Sequence, residues 1–226
     1  MLRALRLGTV ICVMCLEVVL AGLAVAAPGA RQNRIPVGCT IEGSSQNDHL
    51  VGTDHRDVIC GGVGNDRIEA LGGNDTVIGG PGRDRISGGR GDDRIWGSRG
   101  KDYISGWWGQ DRIYGGYHAD TLSGGSNRDV MFGGRSRDYL GGSDGNDRLF
   151  GTGGRDHITG DYGKDLIDGG TGKDRCLTAL DMGHGGDLIR GGPGRDRYEK
   201  DRGDRVVSAE WTTTGPHRYP CDPGPS

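Results

Sequence analysis

The sequence predicts an all-β chain wound as a parallel β-roll, a β-solenoid of two short-stranded sheets. Three observations carry that class. Glycine supplies 47 of 226 residues and phenylalanine only two, so an ordinary thick core is excluded. Aspartate recurs at 48, 57, 66, 75, 84, 93, 102, 111, 120, 129, 138, 147, 156, 165 and 174, every step nine residues. Two positions after each aspartate stands an apolar residue, from Leu50, Ile59 and Ile68 through Leu149, Ile158 and Ile167 to Cys176. A fixed short period in a glycine-rich chain marks a solenoid rather than disorder.

The elements follow in order. Residues 1–26 read as a secretory signal peptide: Arg3 and Arg6 precede an apolar run, and Ala24-Val25-Ala26 supplies a small-x-small cleavage site. Its removal takes the net charge from -3 to -4, since two arginines and Glu17 leave with it. Residues 27–38 form a linker, 39–207 the repeat body and 208–226 a C-terminal cap or tail. Register is lost after Asp174, so 177–184 is expected to bulge from the roll before Gly185-Gly186-Asp187 resumes it.

Export permits disulfides, and four cysteines remain beyond the leader: Cys39, Cys60, Cys176 and Cys221. Two lie near each end of the repeat body, which favours local end clamps over pairing across its length. Cys176, in an inward slot, could hold Cys221 and fold the tail over that end. Cys39 and Cys60 occupy opposite ends of neighbouring strands, about 10 Å apart along the chain, beyond disulfide reach unless the cap bends.

Glycine-rich loops precede the aspartates, in full form at Gly61-Gly62-Val63-Gly64-Asn65-Asp66 and again from Gly79, Gly88, Gly169 and Gly191. With the following apolar residue these spell GGxGxDxUx. Over residues 43–198 the sequence resembles the RTX (repeats-in-toxin) nonapeptide family of calcium-binding repeats. The resemblance implies a six-residue turn followed by a three-residue strand, two repeats to a coil. It also implies several Ca2+ ions bound between equivalent loops of successive coils, by backbone carbonyls and the loop aspartate.

The residues are consistent with that chemistry. Glycine allows positive φ, turning carbonyls toward a common centre, and calcium takes six to eight hard oxygens in irregular geometry. Equivalent aspartates stack about 4.8 Å apart and repel one another unless a cation lies between them. Loops with glycine at positions one and four end at Asp66, Asp84, Asp93, Asp102, Asp111, Asp147, Asp156, Asp165, Asp174 and Asp196. They give candidate sites between 66 and 84, 84 and 102, 93 and 111, 147 and 165, and 156 and 174. His118, Asn127 and Ser136 replace the fourth glycine in the central loops, where weak or empty sites are expected. One inward side chain per nine residues is a thin core against the entropy of ordering the chain. Calcium is therefore expected to drive folding.

Outward positions differ between the two sheets. One carries Ile78, Trp96, Tyr114, Phe132 and Phe150 in file beside Arg94, Arg112 and Arg148; the other carries Ser87, Ser105, Ser123, Gly141 and Thr159. The aromatic file is either cross-strand reinforcement or a face for an extracellular glycan or cell-surface partner. Alternating arginine and aspartate with net negative charge argues against nucleic acid, and no HExxH appears. Repeats leave no room for a catalytic domain, and no membrane span follows the leader. The chain thus reads as a secreted, non-enzymatic calcium-binding protein, or alternatively an adhesin using its aromatic face.

Overall fold

A computed structural model describes residues 38–174, 176–179, 186–194, 196–200 and 203–207. Strands are numbered in chain order. One sheet stacks β1 (Ile41–Glu42), β3 (Val58–Cys60), β5 (Thr76–Pro81), β7 (Arg94–Arg99), β9 (Arg112–Tyr117), β11 (Val130–Ser136), β13 (Arg148–Gly154), β15 (Leu166–Asp168), β18 (Leu188–Arg190) and β20 (Arg205–Val207), with β16 (Thr171–Gly172) also pairing β13. The other stacks β2 (His49–Val51), β4 (Arg67–Glu69), β6 (Arg85–Arg90), β8 (Tyr103–Trp108), β10 (Thr121–Ser126), β12 (Tyr139–Asp144), β14 (His157–Tyr162), β17 (Cys176–Ala179) and β19 (Tyr198–Lys200). All pairings are parallel, and through the regular body each strand pairs with the one 18 residues on, as in Ile95↔Ile113 and Ile104↔Leu122. The chain is the all-β parallel solenoid that its period predicts.

Alternation explains the core. Each strand turns one apolar side chain inward: Ile59, Val77, Ile95, Ile113, Met131, Leu149, Ile167 and Ile189 from one sheet, and Ile68, Ile86, Ile104, Leu122, Leu140, Ile158 and Leu177 from the other. Full burial stabilises each by about 1.5–3 kcal/mol. Ile41 and Leu50 at one end, and Tyr198 and Val206 at the other, lie on the outermost strands of the described sheets and are only partly buried.

The C-terminal register is corrected. Cys176 does not fill the inward slot: Ile158 pairs with Leu177, which is fully buried, while Cys176 pairs with His157. One extra residue lies between Asp174 and the slot, so the strand slides to keep a large apolar side chain inside. Residues 177–179 of the expected bulge lie in β17, while residues 180–185 lie outside the described residues, as does Cys221.

The N-terminal geometry is corrected as well. Cys39 and Cys60 form a disulfide with their Cα atoms 5.9 Å apart. The chain bends at Thr40, whose N–H donates to the Val58 carbonyl and whose hydroxyl accepts from the Val58 N–H. That bend carries Cys39 off the straight strand path and into reach of Cys60.

Candidate metal site

The turns form two edges. Loops ending at Asp66, Asp84, Asp102, Asp120, Asp138, Asp156 and Asp174 lead from the sheet of β5 to that of β6, and loops ending at Asp57, Asp75, Asp93, Asp111, Asp129, Asp147 and Asp165 lead back. Within a loop the second and fourth residues take left-handed backbone. Gly80 and Gly82 have φ of 109° and 153°, and Gly89 and Gly91 have 108° and 119°.

The first glycine is required for a different reason. A Cβ on Gly79 would lie 2.5 Å from Asp84 Oδ2 and 3.0 Å from the Gly97 carbonyl oxygen of the next coil; on Gly88 it would lie 2.5 Å from Asp93 Oδ2 and 2.9 Å from the Gly106 carbonyl. Gly61 and Gly169 hold the same place beneath Asp66 and Asp174. Sequence reasoning singled out positions one and four. The second position was missed, although glycine there in Gly80, Gly89 and Gly116 was the available signal.

Each ladder aspartate is buried and uses its two oxygens differently. Oδ1 accepts the backbone N–H of the aspartate one coil back, at 2.9 Å from Asp84 to Asp102, 2.8 Å from Asp93 to Asp111 and 2.8 Å from Asp147 to Asp165. All five predicted loop pairs are in register this way, and Asp196 accepts from Asp174 at 3.1 Å. From Asp66 to Asp174 every Oδ2 is buried with no hydrogen-bond partner. A buried carboxylate oxygen left unmatched costs several kcal/mol.

Electrostatics reflect that cost. Burial pushes Asp84 and Asp93 up to about 7 and Asp120 and Asp129 up to about 8, against the opposing pull of the N–H bond, with neighbouring aspartates of the column adding to the rise. Asp102, Asp111 and Asp147 are raised to about 6, and Asp156, Asp165 and Asp174 to about 7, again chiefly by burial. Asp66 is raised by the same cause.

The central loops keep this geometry. Asp120, Asp129 and Asp138 accept in the ladder and leave Oδ2 unmatched like their neighbours. The departure from glycine is borne by the backbone: His118, Asn127 and Ser136 sit at φ of 77°, 82° and 105°. Left-handed conformation costs a non-glycine residue roughly 1–2 kcal/mol.

The first coil differs. Asp48 Oδ2 accepts from the N–H and hydroxyl of Ser44 at 2.6 and 2.9 Å, and Asp57 Oδ2 accepts from the N–H and hydroxyl of Thr53, both at 2.8 Å. Local turns satisfy these two carboxylates. An outer ladder also went unread: Asn65, Asn74 and Asn146 Oδ1 accept the N–H groups of Arg83, Asp92 and Lys164.

A cation fits these loops. From Asp66 to Asp174 each offers a buried carboxylate oxygen without a donor, and in loops such as those from Gly79 and Gly88 it lies beside the carbonyl oxygen of the next coil, all hard ligands. Among the described residues no group of three or more His, Cys, Asp or Glu comes together, so backbone carbonyls must supply much of any coordination shell. That favours calcium over thiolate- or imidazole-seeking metals. The face residues lie away from this machinery. Trp96, Tyr114, Phe132 and Phe150 stack ring on ring at centroid distances of 5.3, 5.2 and 4.9 Å, within 10° of parallel, and Arg94 and Arg112 stand in the neighbouring file.

The fold and the aspartate ladders define a cation-binding parallel β-roll with nine-residue periodicity. The sequence matches the RTX calcium-binding nonapeptide repeat (4 copies) over residues 40–68, 61–94, 69–104, 87–116, 105–140, 114–147 and 141–176. The chain belongs to this family and is a calcium-binding β-roll. No curated protein gives a significant match.

Proposed function

We propose that the chain is an exported, non-enzymatic calcium module whose ions lie between equivalent loops of successive coils and drive its folding. Asp66, Asp84, Asp93, Asp102, Asp111, Asp147, Asp156, Asp165, Asp174 and Asp196 supply carboxylate ligands, and the loops from Gly61, Gly79, Gly88 and Gly169 supply carbonyls. The observation that carries this is the unmatched Oδ2 repeated along both edges, a defect that a bound cation relieves. Bound calcium supplies the missing positive charge; the chain's own glycines keep the oxygens close and its strands set their spacing. Export rests on the leader-like residues 1–26. No helix among the described residues is long and apolar enough to cross a membrane.

The aromatic file is assigned to reinforcement. Sugar binding by stacking needs open ring faces, whereas these rings cover one another's faces and offer mainly edges. The test is calorimetric calcium titration of the refolded chain, with circular dichroism in EDTA and then excess calcium. Several ions bound with a gain of β signal is expected; an unchanged signal would overturn the coupling of calcium to folding.

A further inference from the structure

The two edges of the roll differ in charge, and calcium coordination does not explain the difference. In the loops ending at Asp66 through Asp174, each loop contains a single acid, its buried ladder aspartate. Their outward third and fifth positions carry Arg83, Arg99, Lys101, Arg135, Arg137, Arg155 and Lys173, all exposed. The returning loops, ending at Asp57 through Asp165, interleave Arg56, Arg90, Arg128 and Lys164 with Asp54, Asp92, Asp144 and Asp161. In a chain of net charge -3, one edge is thus purely cationic on its outside and the other mixed.

Register makes the cationic edge a ribbon. Pro81, Arg99, Tyr117 and Arg135 pair in one file, and the ladder running from Asp84 through Asp174 sets Arg83, Lys101, Ala119, Arg137, Arg155 and Lys173 in a second, uncharged only at Ala119. Arg135 lies over the Tyr117 ring at 5.4 Å. Ion pairs among the described residues join Arg67 and His49 to Glu69, and none involves these seven cations. Beside the ribbon, on the first positions of β8 and β12, stand the exposed Tyr103 and Tyr139. Neighbouring coils lie about 4.8 Å apart, so the cations step at that spacing in two runs on either side of the coil ending at Asp120, near the length of one sugar ring in an extended chain and unlike the 3.4 Å phosphate step of a duplex strand.

We propose that this edge binds a linear acidic polysaccharide lying along the solenoid axis, its anionic groups meeting the cations on either side of the coil that ends at Asp120 and its sugar rings meeting the flanking tyrosines. Calcium deepens the attraction, because ions held by the ladder cancel the buried aspartates and leave the outer cations dominant; this clause rests on the calcium reading above. Field of one sign along a surface raises affinity and association rate in a salt-dependent way.

The test uses heparin as the acidic polysaccharide, dextran as an uncharged one and a double-stranded DNA oligonucleotide, with the calcium-loaded full chain. Circular dichroism first establishes that each variant is folded, so failure to fold with calcium is read against the calcium proposal and not this one. Expected are binding to heparin, none to dextran, and weaker binding to DNA. The variant R99Q/K101Q/R135Q/R137Q should bind heparin ~10-fold or more weakly at about 0.1 M salt, with a shallower salt dependence. The opposite-edge variant R56Q/R90Q/R128Q/K164Q should bind like the parent. Equal losses in the two variants, no heparin binding by the folded parent, or DNA bound as tightly as heparin would each overturn the proposal.

Discussion

The backbone N–H of Asp93 donates to Oδ1 of Asp111, one coil ahead, at 2.8 Å. The second oxygen of Asp111 is buried without a partner. One carboxylate thus both staples neighbouring coils and demands positive charge, and that pairing repeats along both edges.

Acid and calcium should substitute for each other. The folded pKa values of Asp84 and Asp93 are about 7, against an ordinary 3.8. Between those limits the folded, metal-free chain holds protons that the unfolded chain has released. Its stability is therefore present below about pH 4 and lost as pH rises through 7. Calcium requires the ionised form, so its affinity rises over the same window. Circular dichroism in EDTA should show β signal gained from pH 8 down to pH 5, and the calcium midpoint should be higher at pH 6 than at pH 8. Metal-free structure that grows with rising pH would contradict this.

Neighbouring loop positions should respond oppositely to substitution. At Gly97 a Cβ would stand 2.5 Å from Asp102 Oδ2 and 2.8 Å from the Gly115 carbonyl. Gly97→Ala should therefore destabilise by about 2 kcal/mol, as overpacking does. Ser98 lies at φ 85°, and Ser98→Gly should stabilise by about 1 kcal/mol by removing left-handed strain. Thermal unfolding in calcium reads both.

The Cys39–Cys60 bridge closes a loop with 21 residues of sequence separation. Reduction, or Cys60→Ser, should cost about 3 kcal/mol on the chain-entropy account. The loss should appear as a lower Tm in calcium and as faster hydrogen exchange concentrated in residues 40–60, the coil whose carboxylates need no metal.

The stacked rings should be energetically coupled. A double-mutant cycle on Tyr114→Ala and Phe132→Ala, whose centroids lie 5.2 Å apart, should give about 0.5–1.5 kcal/mol of interaction. Calcium stoichiometry should be unchanged, since neither residue touches a ladder.

Much of this was legible in one dimension. The period of nine with an apolar residue two places after each aspartate leaves one inward position per strand, so Ile95, Ile104 and Ile113 could be placed without coordinates. Stepping by eighteen separates the two sheets and puts Trp96, Tyr114, Phe132 and Phe150 in one file. The ends were harder. Leu177 takes the register opposite Ile158 that strict spacing assigns to Cys176, which keeps a large apolar group buried, and a bend at Thr40 joined two cysteines that straight strands keep apart.

Within the loops, residue types alone determined where the chain could turn and where a carboxylate would recur. Only the stacked coils decided what each atom does there. At position one of loops such as those from Gly79, Gly88 and Gly97 a carbonyl from the next coil crowds the space of a Cβ, although Ala70 is accommodated there in the loop ending at Asp75, and position two is left-handed even where it is Ser98 or Thr152. Asp48 and Asp57 resemble the other repeat aspartates in sequence, yet Ser44 and Thr53 satisfy them locally, while those from Asp66 to Asp174 keep a buried oxygen without a hydrogen-bond partner. The physical reason is that period is a property of the chain, whereas burial and hydrogen-bond satisfaction depend on neighbours eighteen residues away, brought about 4.8 Å apart by the winding.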